Sequence, residues 1–394
     1  MRKSKRALIA AVAAVLAVSA ACTPDDEPSA STTAAPTSST TSTTVPAGVT
    51  VSTVSAGGAR TCAVLSDTTA RCWGDNTSAA LGDRTTADSS NPVSVHRREG
   101  FASTAVGGGH VCGLTGAGTV TCWGDNSTGQ LGDGSTVSRP NPEEVPSLTD
   151  VSAIAAGDAF TCAVTGGTVM CWGANESGQL GDGGSSRSLV PTQVDGIEDA
   201  VGVAAGAAHA CAVNYYGALY CWGDGVVGQL GIGDSRGSSV PVLVDGLGPV
   251  SQVAAGEHTT CAVLTEGVAC WGGNSEGQIG DGSTDDSRVP VAMASSAGAT
   301  SVSVGAFHAC VTVGSSVSCV GGNQHGELGV DSTMRSTSLV PTGITDATGG
   351  VVSGSSHSCV PSAAGIRCWG ANAVGQIGDG TTAERRMPSL VQGL

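Results

Sequence analysis

Fourteen of the fifteen cysteines fall in couples, at 62/72, 112/122, 162/171, 211/221, 261/270, 310/319 and 359/368, while Cys22 stands apart. Thiols in couples have three chemistries open to them: a metal clasp, a redox pair or a structural cross-link. A zinc clasp calls for clustered ligands of the Cys-x-x-Cys kind, and a dithiol redox site for the same short spacing. Neither spacing occurs here; the couples lie nine or ten residues apart.

The flanks of "CGLTGAGTVTC" (112–122) match those of "CAVTGGTVMC" (162–171), and the one-residue difference sits in the glycine-rich middle. Each couple therefore brackets a β-hairpin, with its cysteines at the same level of adjacent strands. Opposed positions on antiparallel strands come close enough for a disulfide. Seven such bonds are expected, Cys62–Cys72, Cys112–Cys122, Cys162–Cys171, Cys211–Cys221, Cys261–Cys270, Cys310–Cys319 and Cys359–Cys368, provided the compartment is oxidising.

Two further residue sets could do chemistry. His110, His209, His308 and His357 each precede a cysteine by two residues, and Arg60, Phe160 and Thr259 take that place in other units. A catalytic site needs unlike groups that converge, whereas these are like groups related by repetition. They read as structural, with a metal ring on a central axis as the alternative. Loops such as "NESGQLGDGG" offer an Asp-x-x-x-Gly run, but without the ligand spacing or closing Glu of an EF-hand. A turn is expected there, with Gly178, Gly181 and Gly183 supplying positive φ and Leu180 pinning the loop. No Ser-His-Asp or paired-carboxylate constellation stands out. No catalytic residue, metal or cofactor is assigned, and an enzyme is not expected.

The elements that carry these residues repeat. The first cysteine of each couple recurs every 49 or 50 positions, which marks seven units between Val51 and Leu394. Each unit holds apolar runs of four to six residues between glycine-rich turns, and no helical period appears after residue 50. That pattern predicts four short strands per unit. A lone four-stranded unit cannot bury both faces, and radial packing solves this. The expected fold class is all-β, a seven-bladed β-propeller over residues 51–394 with one intra-hairpin disulfide per blade. An open solenoid would call for polar capping units, and neither end resembles one. Trp73, Trp123, Trp172, Trp222, Trp271 and Trp369, one per unit, are expected between blades.

The stretch "AAGAAHACAV…GALYCWGDGVVGQLGIGD" resembles the repeat of the regulator-of-chromosome-condensation (alpha-tubulin-suppressor-like) family. Its consensus runs Gly-x-x-His, then Trp-Gly-x-Asn-x-x-Gly-Gln-Leu-Gly-x-Gly. The resemblance spans the seven units and implies a seven-bladed propeller. Departures are Ala79 and Ala80 for Gly-Gln in the first unit, and Val320 for Trp and Glu327 for Gln in the sixth.

The N-terminus, "MRKSKRALIAAVAAVLAVSAAC", has four positive charges, an apolar run from Ala7 to Val18, then small residues. It reads as a secretory signal over residues 1–21, too short for a membrane span. "SAAC" resembles the bacterial lipoprotein signal, which would make Cys22 the lipidated first residue and place the protein on the outer face of the cell membrane. Ordinary cleavage and secretion is the alternative. Residues 22–50, rich in Ser, Thr, Ala and Pro, read as a disordered tether, open to O-glycosylation.

Loss of the signal would remove four basic groups, taking the formal net charge from −16 to −20 and leaving arginine as the only basic residue besides histidine. Such a chain would be repelled by nucleic acid. The GTPase-exchange role of some relatives would need a cytosolic partner and an inserted contact element, and the uniform units leave no room for one. Binding remains. Most hairpin tips are small or polar, but the fourth unit has "NYYG", with Tyr215 and Tyr216, and "VHRREGF" (95–101) places Arg97, Arg98 and Phe101 in a basic, aromatic loop. The expected function is a membrane-anchored, monomeric module that binds an unidentified protein or glycan of the cell envelope, touching the membrane only through lipid on Cys22. The alternatives are a secreted enzyme inhibitor, since a similar secreted propeller blocks β-lactamases, and, more weakly, a polysaccharide-acting enzyme.

Overall fold

The computed structural model describes residues 48–96 and 99–394. The fourth unit shows how the repeat folds. Its strands are Ala200–Ala205, His209–Asn214, Leu219–Gly223 and Ser238–Leu243, paired antiparallel in sequence order. The two middle strands are apolar at consecutive positions rather than alternate ones, and nearly every residue in them is buried. Such strands need cover on both faces, and the neighbouring blades supply it. The fourth strand is half-exposed and carries Pro241, which has no N–H to offer an incoming strand. The same place holds Pro92, Pro142, Pro191, Pro290 and Pro388 in other blades, and Leu339 in the sixth.

Seven four-stranded sheets of this order make the blades, over residues 51–94, 101–144, 151–194, 200–243, 252–292, 299–341 and 352–390. The chain direction defines two faces. One, the tip face, carries the hairpin tips between second and third strands and the crossovers to the next blade. The other, the loop face, carries the turn after each first strand and the long loop after each third strand. The seventh blade meets the first: His357 Nε2 lies 2.8 Å from Thr61 Oγ1, Trp73 Nε1 donates to Gln376 O at 2.9 Å, and Ser355 N donates to Gly58 O at 2.8 Å. The ring is closed, which excludes the solenoid, and it closes without strand exchange.

Every cysteine couple is directly opposed in its hairpin, with Cα atoms 4.0–4.1 Å apart, and each is bonded as expected. The extra residue of the ten-spaced hairpins falls at the tip. Thr165 pairs directly with Thr168, whereas Asn214 N bonds Ala218 O around a longer turn.

The long loop of every blade but the fourth, which has Gly225 there, is stapled by one buried asparagine. Asn126 donates through Nδ2 to Asp133 Oδ1 at 3.1 Å and Val137 O at 3.2 Å, and its Oδ1 accepts from Leu131 N at 3.0 Å. Asp133 Oδ1 also accepts from Ser135 N at 2.9 Å, so this carboxylate is engaged in building the turn. The buried leucines, Leu180 among them, pin these loops as expected. Ala79 takes the left-handed conformation (φ 58°) that Gly129 and Gly178 adopt in the equivalent turns. In the sixth blade Val320 replaces the indole. Met293 stands where four other blades have Val95, Val145, Val194 and Val244, and packs with Val320 in the same apolar cluster. The longer thioether fills what the smaller valine leaves.

Candidate interaction site

The tyrosine tip is held from both sides. Asn214 Oδ1 accepts the N–H groups of Tyr216 and Ala218, at 3.1 and 2.9 Å, and Tyr215 N donates to Asp199 O in the preceding crossover at 2.8 Å. Fixing the backbone leaves the rings to project. Tyr215 and Tyr216 are 76% and 73% exposed and meet edge to face, centroids 5.6 Å apart at 86°. The six tryptophans, Phe101 and Phe160 are all buried, which sets this pair apart.

Tyr216 and Tyr220 wall an open cavity of about 690 Å³ between the third and fourth blades. Its other walls are the Gly166–Gly167 tip and the crossover that carries Glu198 and Asp199. The volume lies within the range of small-ligand sites. Tyr220, absent from the residues assigned to binding from sequence, is partly buried and anchors this wall on the core of the third blade.

The second sequence candidate divides. Phe101 opens the first strand of the second blade, is only 2% exposed, and packs 6.1 Å from the ring of Trp123. Gly113 makes room for it: a Cβ there would sit 2.3 Å from Phe101 Cε1. Phe101 is core, a correction to its assignment as a binding residue, because it lies inside the strand rather than on the loop before it. Arg97 and Arg98 lie outside the described residues, as do Cys22, the segment 1–21 and the tether up to residue 47. Phe307, half-exposed on the loop face, was not singled out from the sequence.

On the loop face the inner strands end around an axial pit of about 190 Å³, walled largely by Gly and Ala. Close approach explains the glycines: a Cβ on Gly107 would lie 2.4 Å from Gly157 O of the next blade. Asp158 and Glu257 stand at its rim, with His258 Nε2 3.9 Å from Glu257. Desolvation, then the charge of Glu257, raises the Asp158 pKa above the ordinary carboxylate value.

The recurring histidines do not face this pit's ligand space as a metal ring would. Each ring packs over the glycine three residues before it and bridges to the next blade. Nε2 lies 2.8 Å from Thr161 Oγ1 for His110, 2.9 Å from Thr260 Oγ1 for His209, and 2.8 Å from Ser358 Oγ for His308. Thr161 Oγ1 donates onward to Gln130 O at 2.9 Å, and the same carbonyl accepts from Trp172 Nε1 at 2.9 Å. That arrangement requires His110 Nε2 to carry the proton. Nδ1 of all four rings makes no hydrogen bond. Burial pulls His110, His209 and His357 down to about 4 and His308 to about 3. Expected from sequence to be structural, these histidines prove to be interblade links. In the first blade Arg60 does this work, donating to Gly108 O at 2.6 Å and pairing with Asp75. Among the described residues, no group of three or more His, Cys, Asp or Glu is placed to hold a metal ion.

A closed seven-bladed propeller with a buried tryptophan and a Gly-x-x-His turn at its seams defines the class. Models of the regulator of chromosome condensation (RCC1) repeat match at residues 117–164, 166–213, 216–263 and 267–312, and a second RCC1 model at 101–130, 151–179, 200–229 and 250–278. The chain belongs to the RCC1 repeat family. No curated protein sequence matches it. Among solved structures, yeast RCC1 (Prp20) bound to Kap60 is similar at TM-score 0.72 and 21% identity, over 81% of this chain and 82% of that one. Human WBSCR16 is similar at TM-score 0.72 and 23% identity, over 81% and 94%. Prp20p of Saccharomyces cerevisiae, described with its binding to Gsp1p and histones, gives 0.70 and 22% over 81% and 84%. Likeness at this identity speaks for the fold.

Proposed function

We propose that the chain is an extracytoplasmic interaction module of the bacterial cell envelope, anchored through lipid on Cys22, that binds a protein or glycan partner at the tyrosine tip of the fourth blade. The observation that carries this reading is the exposed edge-to-face pair Tyr215–Tyr216, backbone-fixed beside an open cavity in a protein whose other rings are nearly all buried. Rigid aromatics with a polar end contribute large contact area at low ordering cost, and they are enriched at binding hot spots. Seven buried disulfides suit an oxidising compartment. Structurally similar Prp20 engages a protein, Kap60.

Two measurements test it. Wild type should begin at Cys22 and partition into detergent, and Cys22→Ala should appear in the medium; a wild type already soluble and starting at Ala21 or Thr23 removes the anchor and favours the diffusible inhibitor. Tyr215→Ala with Tyr216→Ala should weaken capture of the envelope partner by about 2 kcal/mol or more. Unchanged capture with an unchanged melting curve would move the site to the loop face.

A further inference from the structure

We infer that the cavity beneath Tyr216 receives a cationic side chain, the guanidinium of an arginine borne by a basic peptide segment of the partner. The inference rests on the tyrosine-tip reading above and names the chemistry of what that site takes. The residues that line the cavity include Tyr216, Tyr220, Gln193, Asn214, Glu198 and Asp199, with no lysine, arginine or histidine among them. A guanidinium is matched on both counts. It stacks on aromatic faces, and its forked N–H groups bind carboxylates in pairs.

The surrounding face extends the complementarity. Crossovers and tips of the third to fifth blades bring Asp150, Asp195, Glu198, Asp199, Asp245 and Glu266 to the tip face. Between residues 140 and 300 the only cationic side chains besides histidine are Arg187, Arg236 and Arg288. All three sit at the start of fourth strands, on the loop face, where Arg187 Nη1 bonds Ser127 O and Arg236 pairs with Asp234. Nothing basic on this stretch competes for the acidic rim. A negative field over an open site with low-dielectric walls also steers cationic partners toward it.

A neutral glycan would use the same rings, so the experiment separates the two. The soluble propeller is titrated, with ¹H–¹⁵N NMR as readout, against a capped pentapeptide holding two arginines, the same peptide with citrulline for arginine, and an N-acetylglucosamine tetramer. The arginine peptide should shift the amides of Tyr216, Tyr220 and Glu198, bind at least tenfold more tightly than the citrulline peptide, and weaken steeply with salt. Glu198→Gln with Asp199→Asn should lower its affinity at least tenfold; asparagine accepts the left-handed backbone of Asp199 (φ 52°), so the fold is preserved. Equal binding of the citrulline peptide, binding of the saccharide alone, or no shift with the arginine peptide at millimolar concentration overturns the inference. If the carboxylate variant captures the envelope partner normally while the tyrosine variant does not, the tyrosine-tip reading stands and the cationic ligand falls. If neither variant affects capture, both fall.

Discussion

The Nε2 of His110 in the second blade lies 2.8 Å from Oγ1 of Thr161 in the third, and neither residue type occurs at its seam without the other. His209 faces Thr260, His308 faces Ser358, and His357 faces Thr61 across the closure. Where the histidine is replaced, the hydroxyl is gone too: Arg60 is followed by Val111, Phe160 by Ala210, and Thr259 by Ala309. A buried imidazole N–H lacking an acceptor costs free energy, and a hydroxyl without the ring keeps its carbonyl but loses its donor, so the two positions change together.

That pairing should appear as coupling. His110→Phe or Thr161→Ala alone should each destabilise the propeller, by roughly 1–3 kcal/mol. The double variant recreates the Phe160–Ala210 seam and should cost less than the sum, with a coupling energy of about 1 kcal/mol. Strict additivity in urea melts would mean that the bond contributes nothing.

Mild acid should loosen the ring through its four buried histidines. In the unfolded chain the four histidines titrate near 6.5, while in the fold they stay neutral down to about 4, or about 3 for His308. The unfolded state therefore holds more protons between these values, and stability falls as pH drops from 6.5 toward 4. Urea midpoints at pH 7 and pH 4.5 measure this. His110→Phe with Thr161→Ala should flatten part of the slope.

Non-reducing peptide mapping should return the seven couples and no thiol between residues 62 and 368. Each closes a loop of about ten residues, and the chain-entropy relation gives about 2.7 kcal/mol apiece, an upper value because a compact unfolded chain already restricts such loops. Reduction should lower the melting temperature sharply. Full stability with free thiols would make the bonds incidental.

Ala79 and Gly129 occupy one turn position in different blades and should respond in opposite directions. Ala79 holds φ 58°, so Ala79→Gly should relieve strain and stabilise by up to about 1 kcal/mol. Gly129→Ala should destabilise, because its Cβ would lie 2.5 Å from Leu189 Cδ2 and 3.0 Å from Leu189 Cα. Thermal melts of the two single variants decide it.

Strand count, ring closure and disulfide pairing were legible because each is written seven times, and a spacing that recurs leaves few geometries. The exposed tyrosine tip was legible because it breaks the repeat. Phe101 misled for a related reason: its neighbours Arg97 and Arg98 drew it into a loop, although it stands where other units begin their first strand with Val151, Ala200 or Ala299. The hydroxyl partners of the histidines were missed because the reading ran along each unit. Comparing each histidine position with the residue 50 or 51 places further on, in the next unit, would have shown the pairing. The cavity at Tyr216 could not be read this way, since it depends on how a crossover, a glycine tip and two rings meet in space.

Every disulfide among the described residues lies inside one hairpin, so none crosses a seam, and only the crossover backbone links one blade covalently to the next. Under tension between its ends the ring would part at seams held by side chains and a few backbone hydrogen bonds, while each hairpin core stayed locked. A released blade would pay out only the roughly 40 residues outside its cross-link, on the order of 140 Å, and then stop. Sustained pulling would yield a string of stapled hairpins, each still holding the inner register from which its blade could reform once the load was removed.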